Sequence, residues 1–118
     1  PLTFEKIISA WSKCINEKDS SEIDAILSTD FVWQSAAPEH KIPSDDKADK
    51  KETIQFALGA EIHISDFNSI YNGDKVVSGT HSVIIEGEEK VVFCVGLLTD
   101  DGMKVKQWRH LTGNYPGA

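Results

Sequence analysis

Residues Asp74–Gly113 read DKVVSGTHSVIIEGEEKVVFCVGLLTDDGMKVKQWRHLTG: three β-branched and aromatic runs separated by glycine-containing turn residues. Such punctuation predicts consecutive antiparallel hairpins. Upstream, EIHISDFNSIY (Glu61–Tyr71) joins this stretch through Asn72-Gly73, a strong two-residue hairpin signal, so four strands are expected in succession.

Strand side chains alternate between faces, and directly opposed residues share one. With Asn72-Gly73 as the loop, Tyr71 pairs with Asp74, His63 with Ser82 and His81 with Ile64. His63 and His81 then point to opposite faces. With Gly87-Glu88 in the second turn, His81 lies opposite Cys94, and sliding that loop back one residue shifts the register by two without changing the facing. A three-residue DDG loop with Gly102 left-handed puts Cys94 opposite Trp108, whereas a two-residue Asp-Gly turn reverses the last strand. On the three-residue reading His81, Cys94, Trp108 and His110 share a face and Arg109 lies on the outer one, where it could meet an acidic group at a sheet–sheet dimer contact.

The first half is helical. PLTFEKIISAWSKCINEKD places Phe4, Ile7, Ile8, Trp11, Cys14 and Ile15 on one stripe. DSSEIDAILS begins with cap candidates Asp19 and Ser20, has Glu22 at capping-box distance from Asp19, and turns Ile23, Ile26 and Leu27 inward. DFVWQS reads as a strand with Phe31 and Trp33 on one face. APEHKIPSDDKADK, with two prolines and mixed charges, reads as a solvated loop holding His40. KKETIQFALGA is a third helix, with Ile54 and Leu58 on one face, Phe56 and Ala57 flanking them, and Gly59 as its stop. Helix–helix–strand–helix–four strands predicts a single α+β domain over 1–118, a curved antiparallel sheet with three helices on its concave face.

The 118 residues carry 12 basic and 19 acidic side chains, a net charge of −7. That balance disfavours nucleic acid and anionic membranes, leaving a small molecule or a protein as partner. Cys14 and Cys94 form no framework or finger spacing and read as reduced, buried packing, which suits the cytoplasm. No apolar run reaches the ~18 residues of a membrane span, and no signal-peptide pattern is present.

The segments IISAWSKCINEKDSSEIDAILSTDFVW, KKETIQFAL, IYNGDKVVSG and DDGMKVKQWRHL together resemble the nuclear-transport-factor-2-like superfamily, over almost the whole chain. That superfamily includes ketosteroid isomerase, SnoaL-type cyclases, limonene epoxide hydrolase and non-catalytic binding members. The resemblance implies a cone-shaped, cystatin-like α+β roll, with a pocket on the concave face under the first helix into which Trp108 and His110 point. It does not carry the isomerase chemistry over: Trp11 stands at the tyrosine of its oxyanion hole, Ser35 at its base and Gly96 at its protonated acid. His110 matches one Asp of the epoxide hydrolases and the acid/base Asp of the cyclases, and VVFCVGLL lacks an Arg-x-Asp.

The resulting expectation is a small-molecule-binding pocket protein. As an enzyme it would be a cofactor-independent lyase, isomerase or hydrolase acting on an apolar cyclic substrate. His110 and His81 are its candidate catalytic residues, because imidazole titrates near neutrality. Trp11, Trp33, Phe56, Cys94 and Trp108 are candidate ligand contacts. His81, Cys94 and His110 come from three strands without metal-ligand spacing, so neither a metal nor a cofactor is expected. A Cys94–His81 nucleophile pair is the less expected reading of a cysteine on an apolar strand. The alternatives are a non-catalytic binding module and a homodimer, paired through the sheet, whose pocket is vestigial.

Overall fold

The computed structural model describes residues 1–117. Helix α1 (Phe4–Glu17) starts at Thr3, whose hydroxyl accepts from the Lys6 amide, and buries Phe4, Ile7, Ile8, Trp11 and Cys14 as its stripe requires. Helix α2 (Ser21–Ile26) follows a tight link in which the Asp19 carboxylate accepts from the Ser21 amide and hydroxyl. Strand β1 (Leu27–Ser35), a 3-10 turn (Glu39–Lys41) and the short β2 (Ala48–Asp49) lead to α3 (Lys50–Gly59). Asp49 and Glu52 close a capping box on α3. Strands β3 (Ile62–Asn72), β4 (Val76–Ile85), β5 (Glu88–Leu98) and β6 (Val105–Gly113) complete the chain.

The architecture is α+β: one curved six-stranded sheet, ordered β2-β1-β6-β5-β4-β3, with three helices. All pairings are antiparallel except β1·β6, which is parallel. β2 lies inside the stretch expected to be plain loop; Ala48 and Asp49 pair with Trp33 and Val32.

The first and third turns differ from the expected ones, and the second is the loop slid back by one residue. Asn72 stays in β3 because its side chain serves α1, accepting from the Phe4 amide at 2.7 Å and donating to Glu5. The tight loop is therefore Asp74-Lys75, with the Gly73 amide donating to the Val76 carbonyl. The second loop is Glu86-Gly87, both left-handed, which suits a two-residue hairpin. In the third, Thr99 bonds to Lys104, Gly102 is left-handed, and β6 then has a bulge between Val105 and Gln107. Each register moves by an even number of residues at the sites that matter. His81 is opposite Val92 and Cys94 opposite His110, and the expected facing survives.

The core forms where α1 lies on the sheet. Phe4 stacks on Trp108 with centroids 6.1 Å apart, and Trp11 tilts against the same indole at 6.3 Å. Two glycines make room for them: a Cβ at Gly79 would lie 2.4 Å from the Phe4 ring, and one at Gly96 would lie 2.7 Å from Trp108. Burying each of these large side chains stabilises the fold by about 1.5–3 kcal/mol.

Candidate active site

The parallel β1·β6 pairing places Trp33 beside Trp108 and Ser35 beside His110. As a result the His110 imidazole meets the Trp33 indole edge to face, with centroids 4.6 Å apart. These two rings and Ser35 form the strand wall of an open cleft of about 430 Å³. Asp45, Asp46 and Lys47, from the segment before β2, also line it.

The loop leading to that segment is tied to β1 and β6. Arg109 donates to the Ser35 and Ala37 carbonyls at 3.2 and 2.8 Å and stands 4.0 Å from the Glu39 carboxylate. An acidic partner for Arg109 is thus present within its own chain. Glu39 also accepts from Gln34 at 2.8 Å and from the Lys47 ammonium. Gln34 is 1% exposed, and its carbonyl accepts from Gln107 at 3.0 Å. These hydrogen bonds satisfy the buried amide and hold the Glu39 carboxyl below the usual carboxylate range, Lys47 acting most strongly.

Burial sets the chemistry of the two inward imidazoles. It pushes His110 down from 6.5 to about 4, with nearby His81 adding to the shift. Burial also lowers His81, partly offset by a hydrogen bond at 2.9 Å with the Ser82 carbonyl. A carbonyl can only accept, so Nδ1 of His81 carries the hydrogen and its Nε2 keeps the lone pair. Both rings are neutral at pH 7. Phe67 stands edge-on to His81 at 6.4 Å. Among the described residues, no carboxylate is hydrogen-bonded to either ring, and no cluster of three or more His, Cys, Asp or Glu could hold a metal ion.

Of the candidate ligand contacts, Trp33 lines this cleft with His110. Trp11, Cys94 and Trp108 belong to the packed core, and Phe56 is 70% exposed on α3, turned to solvent because Thr53 and Ala57 occupy the inward face. The Cys94 thiol is pushed up to about 12 by burial, so it has no thiolate to offer near neutrality. His81 lies on the helix-covered face two strands from His110, outside the cleft wall. His63 is exposed on the opposite face, and His40 sits in the 3-10 turn. Ser35, Asp45, Asp46 and Lys47 were missed as cleft residues.

A curved six-stranded sheet folded against a long N-terminal helix is the nuclear-transport-factor-2-like fold, and the comparisons agree. Such a protein of unknown function from Cytophaga hutchinsonii superposes with a TM-score of 0.70 at 7% identity, over 96% of this chain and 92% of that one. An LEH-like epoxide hydrolase from M. tuberculosis gives 0.61 at 19% identity, covering 96% and 86%. A hexachlorocyclohexane dehydrochlorinase from Novosphingobium barchaimii gives 0.57 at 10% identity, covering 98% and 90%. No family model matches the sequence, and no curated protein matches it significantly.

Proposed function

We propose that the protein binds a small ring-shaped molecule in the cleft between β1, β6 and the Asp45–Lys47 segment, and that His110 handles a proton of that ligand without a cofactor. The observation carrying this reading is the meeting of a neutral imidazole and an indole, 4.6 Å apart, in a cleft of about 430 Å³. A flat apolar ring fits against Trp33, and His110 is the polar group within reach of it. In the resting state the imidazole is unprotonated, the form a general base needs. Its conjugate acid is strong, so a proton taken up is readily returned, which suits a shift of a proton within one molecule. That the fold hosts an epoxide hydrolase and a dehydrochlorinase supports an enzyme's scaffold.

A binding role without chemistry is the second reading, favoured by the lack of a carboxylate bonded to either imidazole. Cyclohexanone separates the two. Deuterium exchange at its α-carbons, followed by NMR in buffered D₂O, should be accelerated by the protein and fall to background in His110→Gln. Binding seen as shifts of the Trp33 indole resonance without accelerated exchange would establish the second reading. No binding of cyclohexanone, benzyl alcohol or benzylamine would overturn both.

A further inference from the structure

The two walls of the cleft differ in charge. On the strand side stand the Trp33 indole and His110; on the loop side stand Asp45, Asp46 and Lys47. The Lys47 ammonium is engaged by Glu39, which lies outside the cleft and is fixed by its bond from buried Gln34. Among the described residues, neither Asp45 nor Asp46 has a basic partner within ion-pair distance. The cleft is therefore lined by two aspartates without an ion-pair partner and by an aromatic ring, in a chain of net charge −7.

We propose that the ligand of this cleft is an organic cation, a small ring carrying a protonated amine, with the ammonium held between the Trp33 indole and Asp45 and Asp46. The inference rests on the reading of the cleft as a small-molecule site and adds the ligand's charge. An indole attracts a cation through its negative face, and carboxylates do so through space, so both walls select the same sign. A neutral ring gains nothing from the exposed carboxylates, and an anion would be repelled. Two carboxylates fall well short of the six to eight oxygens that a calcium ion takes, so an organic ammonium fits better than a metal ion. His110 adds no competing charge at neutral pH.

Benzylamine and benzyl alcohol, matched in shape, test the charge. Measured by calorimetry or ligand-observed NMR at pH 7, benzylamine should bind about tenfold tighter at low salt, as expected for one cation–π contact and two exposed ion pairs. The advantage should shrink in 0.2 M salt. The double variant Asp45→Asn/Asp46→Asn should remove most of it while leaving benzyl alcohol binding unchanged. Both positions are exposed, so the fold survives the change, which circular dichroism checks. Glu39→Gln keeps an acceptor for Gln34 but frees Lys47 to pair with the aspartates, and should weaken benzylamine several-fold without affecting the alcohol. Equal affinities for amine and alcohol, or amine binding indifferent to the double variant, would overturn the inference while leaving the cleft a ligand site. Competition by calcium alone at comparable concentration would overturn it in favour of a metal. Failure of both ring compounds would overturn the cleft reading itself.

Discussion

Replacing His110 by glutamine should change how the fold responds to acid. In the folded chain the imidazole titrates at about 4, whereas a free imidazole titrates near 6.5. Between those values the unfolded chain binds the proton and the folded chain does not, so stability falls as pH falls. The contribution of neutral His110 is complete above pH 6.5 and is lost progressively toward pH 4. The whole interval corresponds to about 3 kcal/mol, and the part between pH 7 and pH 5 to about 2 kcal/mol. Stopping at pH 5 keeps the carboxylates, whose reference values lie near 4, largely ionised. Urea unfolding at the two pH values measures the effect, with an unchanged m-value confirming a common unfolded state. Wild type should lose about 2 kcal/mol more than His110→Gln on moving from pH 7 to pH 5. His81 is lowered by burial as well, so part of the acid sensitivity should persist in the variant and disappear in His81→Gln/His110→Gln. An equal loss in wild type and His110→Gln would refute the claim that the ring is buried in its neutral form.

Gly79→Ala should destabilise by about 3 kcal/mol or more in the same unfolding assay, because the new Cβ would sit 2.5 Å from the Asn68 carbonyl as well as against Phe4, and backbone cannot step aside. Cys94 should resist iodoacetamide at pH 8 in the folded state and react once urea unfolds the chain, since its thiol is pushed up to about 12; mass spectrometry of the native protein reads this directly.

The sequence determined side-chain facing better than it determined pairing. A hairpin's facing depends on whether its register sum is odd or even, and apolar alternation holds that parity between bulges wherever one face is buried. The exact pairing depends on turns, which were settled by contacts invisible locally. Asn72 looked like a turn residue, yet its amide is held by Glu5 and the Phe4 backbone, 68 positions away. At the other end of β3, Asp66 takes a left-handed conformation where the register shifts, and nothing in SDF announces it. The candidate site was half legible for the same reason. Trp33 and His110 follow from strand periodicity, whereas Asp45 and Asp46 belong to a charged stretch whose local pattern says only that it is solvated. They line a wall because Gln34, a polar residue on a strand, is buried under Glu39. Phe56, expected as a ligand contact, is solvent-exposed because Thr53 and Ala57 take the inward side of α3.

The parallel pairing of β1 with β6 also constrains how the chain folds. β1 ends at Ser35, and its long partner does not begin until Val105, so during synthesis Phe31 and Trp33 remain on a strand with two residues of β2 for company. The ring contact at Trp33 and His110 is thus among the last made, and its formation closes a loop of most of the polypeptide. Such late, long-range closure slows folding and leaves an apolar edge open to other chains meanwhile. Nascent chains stopped before Val105 should therefore aggregate more readily than the released protein, with β1 as the segment that pairs.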